Sequence, residues 1–121
     1  MRGTHLRDEP DFRGEQAVFF KVKSKGLVVL SGCAHAGIVN TVKLSEKVSG
    51  TDQLHAVMGG FHLINAKPEI IEQTVADIKA MKPDPIVPTH CTGFEAIVSF
   101  AKAIPAEFTL NTAGTQYIFG A

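Results

Sequence analysis

A chain of 121 residues with 45% hydrophobic composition is the size of one domain or part of one, with enough apolar side chain for a single sizeable core. Twelve Lys+Arg balance twelve Asp+Glu without a long run of either sign, which excludes the electrostatic footprint that nucleic acid or an anionic membrane surface demands. A small-molecule or protein partner is expected instead. The N-terminus carries Arg2, Arg7, Asp8 and Glu9 with no apolar leader, and no stretch approaches the ~20 apolar residues of a membrane span, so the chain reads as cytoplasmic.

Residues 1–15 are charged and broken by Gly3, Pro10 and Gly14, and are expected to form an arm outside the fold, part of it a candidate for non-native sequence. Residues 16–121 are expected to form the folded unit. From Ala17 to Lys23 the β-branched and aromatic run AVFFKVK predicts a strand, and after Ser24-Lys25-Gly26 the apolar run LVVLSG predicts a buried second strand of a hairpin. Ile38, Val39 and Val42 share one face of a helix that Gly50 ends. Leu54 to Met58 is a short strand. The stretch Pro68 to Met81 is a helix with Ile71, Thr74, Val75 and Ile78 inward. Pro85 to Pro88 predicts a further short apolar strand, the third counted from the hairpin's second member, and Thr92-x-x-Glu95 has the pattern of a capping box for a helix reaching about Ala103. Glu107 to Leu110 and Thr115 to Phe119, around the turn Asn111-Thr112-Ala113-Gly114, complete the expected order ββαβαβαββ. Strands alternating with helices imply an α/β sheet covered by helices on at least one face.

Three histidines recur where apolar runs end: His35 in Ser31-Gly32-Cys33-Ala34-His35-Ala36-Gly37, His62 in Met58-Gly59-Gly60-Phe61-His62, and His90 in Val87-Pro88-Thr89-His90-Cys91-Thr92-Gly93. Ligands of open α/β sheets gather beyond the carboxyl ends of strands, so neighbouring strands could bring these imidazoles to one site. Neutral imidazole suits zinc and iron, which makes His35, His62 and His90 candidate ligands of a divalent metal, zinc first, manganese or iron as alternatives. A single loop histidine more often caps a turn or faces solvent. The recurrence at one topological position is what raises this set above that reading. His55, inside a strand, reads as structural.

Cys33 and Cys91 are too few for a disulfide framework, and each lies within two residues of a histidine, so reduced thiols near a reactive or metal site stand beside plain buried cysteines as readings. Cys91 precedes a predicted helix and follows His90, and both neighbours would favour a thiolate with a lowered pKa. Cys33 and Cys91 are therefore the catalytic candidates, Cys91 as a nucleophile or soft ligand. Gly59 and Gly60 permit positive φ and close backbone approach to a bound group, or simply a tight strand-to-helix turn. No phosphate-binding glycine pattern occurs.

GLVVLSGCAHAGIVNT, then MGGFHL, then PTHCTG resemble, in this order, the C-terminal half of metallo-β-lactamase-fold hydrolases. The subgroup is the one similar to dihydropterin-6-yl-methyl-ribofuranosylaminobenzene-phosphate synthase, and the likeness runs over about residues 15 to 119. The resemblance implies an αββα sandwich with a metal site at the seam of two sheets, where activated water attacks an ester, lactone, phosphoester or amide. It implies His90 as the late histidine ligand, Cys33 at the place of the bridging aspartate of many members, His35 as a ligand or substrate contact, and His62 as a site residue. The family's His-x-His-x-Asp-His motif is absent, so the expectation is a half-domain, truncated or encoded alone. A second copy in a homodimer, or a separate N-terminal half, is expected to cover its bare sheet face. The competing expectation is a non-catalytic half-fold that oligomerises and keeps the histidines as a trace of a lost centre.

Overall fold

The computed structural model describes residues 15–120, so the expected arm over residues 1–15 lies outside the described residues except for Glu15. Strand β1 (Ala17–Val22) and strand β2 (Gly26–Ser31) form the expected antiparallel hairpin, with Ala17 opposite Ser31 and Val22 opposite Gly26. Strand β3 (Leu54–Gly59) and strand β4 (Ile86–Pro88) follow in parallel, giving the order β1-β2-β3-β4. Parallel neighbours need a crossover, and helices α1 (Ile38–Ser49) and α2 (Pro68–Met81) supply it. Helix α3 (Phe94–Ala103) follows β4.

The burial pattern explains why these segments take these shapes. Leu27, Val28 and Val29 of β2 are all fully buried, which is what a continuous apolar run in an interior strand predicts. Leu27 and Val29 belong to the main core with Ile38 and Val42 of α1, Ile71, Val75 and Ile78 of α2, and Ala96 and Phe100 of α3. Val28 belongs to a small second cluster with Val22 and Ala56. One face of the sheet therefore packs on the helices, and the main core sits there. On the opposite face Val18 is 59% exposed, and Phe20 and Leu30 are also open, with Phe119 of the tail lying edge-on to Phe20 at 6.3 Å.

Helix ends follow local chemistry. Gly50 closes α1 in the left-handed conformation, its N–H donating to the Glu46 carbonyl at 3.0 Å. Pro68 opens α2, where the missing N–H costs nothing. The capping box expected for α3 does not form: Gly93 is the cap residue and no side chain caps the helix. The Thr92 hydroxyl, fully buried, instead accepts the Phe61 N–H at 3.2 Å.

The two final strands expected at Glu107–Leu110 and Thr115–Phe119 are also absent. Phe108 makes a single parallel bridge to Ile86, with the Ile86 N–H donating to Glu107 and the Thr109 N–H to Ile86. β4 is only three residues long and is flanked by Pro85 and ends in Pro88, neither of which has an N–H to extend a ladder. Phe119 instead turns onto the open sheet face, where it meets Phe20 and, at 5.7 Å, His55. His55, read from sequence as structural, lies outside the group formed by Cys33, His90 and Cys91. Among the described residues no helix is long and apolar enough to cross a membrane.

Candidate metal centre

The three parallel strands β2, β3 and β4 end side by side, and each hands the chain to one of the three motifs. The turns are laced together through the backbone. The Gly60 N–H donates to the Gly32 carbonyl at 3.2 Å, the Thr89 N–H to Gly59 at 2.8 Å, and the Ile64 N–H to Cys91 at 3.3 Å. Ser31 Oγ, buried, donates to the Gly60 carbonyl at 3.0 Å. Because β3 is central, Gly60 forms the floor between the Cys33 loop and the one-turn 3-10 segment His90–Thr92.

Over that floor Cys33 Sγ, Cys91 Sγ and one ring nitrogen of His90 all lie within 4.8 Å of one another. Cys33 Sγ is 3.3 Å from His90 Nε2, and Cys91 Sγ donates to the Cys33 carbonyl at 3.5 Å. His90 Nδ1 pairs with the Thr89 hydroxyl at 3.1 Å, which fixes the ring and turns Nε2 toward the sulfurs. A tetrahedral zinc with bonds of about 2.3 Å to sulfur and 2.0–2.1 Å to nitrogen separates its donors by roughly 3.3–3.8 Å, so small side-chain rotations suit this trio to a thiophilic divalent ion. A Cβ on Gly60 would stand 2.6 Å from both Cys91 Sγ and His90 Nε2, so the cluster closes over a position that only glycine leaves empty. Gly59 has a different reason: φ is +121° and its Cα hydrogen faces the Ser31 backbone.

His35 and His62 are brought together, but as a pair beside this trio and outside its 4.8 Å group. Their rings meet edge to face with centroids 4.3 Å apart. His62 sits in the left-handed region at φ 48°, and its backbone N–H points at Cys91 Sγ. Glu15 organises the other ring: one carboxylate oxygen accepts the His35 N–H at 2.7 Å and lies 2.9 Å from His35 Nδ1, and the second accepts the Ala36 N–H at 3.1 Å. Sequence reasoning left Glu15 in the arm, and it passed over Thr89 and Ser31. Only Thr89, next to a candidate ligand and able to hydrogen-bond its ring, carried a local signal.

The expected activation of Cys91 is corrected by its surroundings. Burial pushes the thiol above its ordinary range, with the facing Cys33 adding to the rise and the His62 N–H opposing it. Cys91 lies inside the 3-10 turn, with Thr92 and Gly93 between it and the first residue of α3, so it does not cap that helix directly. A raised thiol pKa leaves less thiolate, so Cys91 attacks more slowly than the activated cysteine expected from sequence, and a metal is the partner that would draw off its proton.

No protein-family model matches the chain. It is 44% identical over 93 residues to 7,8-dihydropterin-6-methyl-4-(beta-D-ribofuranosyl)-aminobenzene-5'-phosphate synthase of Methanocaldococcus jannaschii, a match covering 77% of this chain and 32% of the relative. An uncharacterized protein of the same archaeon is 34% identical over 79 residues, covering 65% of this chain and 29% of its own. The crystal structure of a metal-dependent hydrolase of the beta-lactamase superfamily superposes with a TM-score of 0.74 and 30% identity, covering 86% of this chain and 40% of that one. Fold, motifs and sequence together place the chain in the metallo-β-lactamase superfamily, of whose fold it carries a part. Within the superfamily it resembles the pterin-linked synthase subgroup that its motifs suggested, and it spans about a third of that curated relative's length.

Proposed function

We propose that this chain supplies one half of a metal-dependent hydrolytic centre, binding a divalent ion, zinc first, through Cys33, Cys91 and His90. The observation that carries the reading is the convergence of these three donor atoms within 4.8 Å at the carboxyl ends of adjacent strands. A metal bound there would lower the pKa of water and polarise an ester, lactone or phosphoester bond. The chain's own part is to hold the donors. Thr89 orients His90 through Nδ1, Gly60 leaves the space beneath, and Glu15 sets the His35 ring, with His35 and His62 lining the approach as further ligands or substrate contacts. The superfamily neighbour is described as a hydrolase and the sequence relative as a synthase, so hydrolysis by this chain is part of the proposal.

The open sheet face supports a partner. Val18, Phe20 and Leu30 present a contiguous apolar surface that a second copy or a separate half-domain would cover, and this face also favours the second reading, a non-catalytic interaction module. Elemental analysis across a size-exclusion peak with its mass from light scattering tests both. About one zinc per chain, lost in His90→Ala while far-UV circular dichroism is unchanged, supports the metal reading. Equal metal content in wild type and His90→Ala would refute it and leave the interaction module.

A further inference from the structure

Two sulfurs from turns 58 positions apart in sequence face each other across Gly60. Cys33 follows β2 and Cys91 follows β4, and both are free thiols, partly open to solvent. Their Sγ atoms lie within 4.8 Å, and Cys91 Sγ already rests on the carbonyl oxygen of Cys33 itself. Cys33 lies in the loop after β2 and Cys91 in the one-turn 3-10 segment, both outside the strands and α1 to α3, so bringing the sulfurs to the ~2.05 Å of a disulfide calls for movement of two turns rather than of a core element.

We infer that Cys33 and Cys91 are a thiol oxidation site, a pair that an external low-molecular-weight disulfide converts to an intramolecular disulfide across the strand ends. In the first step Cys33 Sγ attacks one sulfur of the external disulfide. That S–S bond breaks, and the departing thiolate carries off the Cys33 proton, leaving a mixed disulfide on Cys33. Cys91 Sγ then attacks the Cys33 sulfur and releases the second external thiol with its own proton. Two cysteine thiols are oxidised and one external disulfide is reduced to two thiols. The order can also run from Cys91 to Cys33 with the same balance. If the proposed metal reading holds, closure removes two of its three donors at once, so oxidation and metal binding exclude each other.

The oxidation is tested in the full chain with chelator present, so that its outcome is independent of the metal reading. The reduced protein is treated with oxidised glutathione, free thiols are blocked by alkylation, and a tryptic digest is analysed by mass spectrometry. The expected result is a linked peptide pair, Gly26–Lys43 joined to Ala80–Lys102, from protein that runs as a single chain on a non-reducing gel. Cys33→Ser and Cys91→Ser should each stop at one glutathione adduct on the remaining cysteine. Wild-type protein that keeps both thiols alkylatable, holds glutathione on both cysteines, or links only between chains would overturn the inference, whether or not the variants fold.

Discussion

Gly60→Ala adds one methyl group at the point where the centre closes. That carbon would lie 2.6 Å from each of Cys91 Sγ, the Gly32 carbonyl oxygen and His90 Nε2, where ordinary contact begins at 3.4 Å. Each neighbour must therefore retreat by roughly 0.8 Å, a distance over which packing contacts turn repulsive. The two side-chain atoms can swing away, but the Gly32 oxygen accepts the Gly60 N–H at 3.2 Å and is held by the sheet. Overpacking of this kind costs about 1–3 kcal/mol, which lowers Tm by about 4–8 °C per kcal/mol in a domain of this size. The same shift displaces two of three donors by several times the ~0.2 Å that metal bond lengths tolerate, so zinc affinity should fall on the order of 10- to 100-fold. Thermal unfolding of metal-free protein reads the first effect, and competition against a chromophoric chelator reads the second. Gly120→Ala, where nothing lies within 4 Å, is the control. A Gly60→Ala protein with wild-type Tm and zinc affinity would show that the donors are not gathered around this position.

Three further outcomes are expected. Thr89→Val removes the hydroxyl that holds His90 Nδ1 and should weaken zinc binding about 10- to 100-fold with the fold intact by circular dichroism; an unchanged titration would mean that the ring is oriented by other contacts. Thr92→Val keeps the volume of a fully buried side chain but leaves the Phe61 N–H without its acceptor, which should cost about 1–3 kcal/mol in urea unfolding, and a loss near zero would contradict the assigned bond. Glu46→Gln should stabilise the protein modestly at neutral pH, by up to about 0.5 kcal/mol after allowing for solvent screening. Burial and the nearby Asp52 raise the Glu46 carboxyl above 4.5, so its favourable contribution is full below that pH and is lost as pH rises through the folded value. The gain of the variant should accordingly vanish in acid; the same gain at all pH values would disprove the electrostatic origin.

Local chemistry made much of the fold legible. The apolar run of β2, the inward stripe of Ile71, Val75 and Ile78, Pro68 at the head of α2 and Gly50 at the end of α1 are short-range signals, and each element formed where its pattern placed it. The recurrence of a histidine or cysteine after each apolar run was also readable, because parallel strands end on one side of a sheet. Sequence alone could not divide those residues into sets. Which donors converge depends on the order β2-β3-β4 and on how far each turn reaches, and this gathers Cys33, Cys91 and His90 while pairing His35 with His62.

Tertiary packing also overruled local patterns. Thr92 has the sequence of a helix cap, yet its hydroxyl satisfies a buried N–H from another turn, the stronger demand because an unpartnered buried donor is costly. Thr115 to Phe119 alternates like a strand, but the edge it would join is three residues long and proline-bounded, and it is the last residue, Phe119, that packs on the sheet face. Glu15 gained a role that composition concealed, because its carboxylate meets the His35 loop only once β1 is paired with β2. The sequence by itself determined the strands and helices from Ala17 to Ala103 and the chemical character of the strand-end turns, which depend on residues a few positions apart. Only the tertiary structure decided which thiols and imidazoles share a site and how burial sets the Cys91 thiol, because distance and desolvation arise from chain segments remote in sequence.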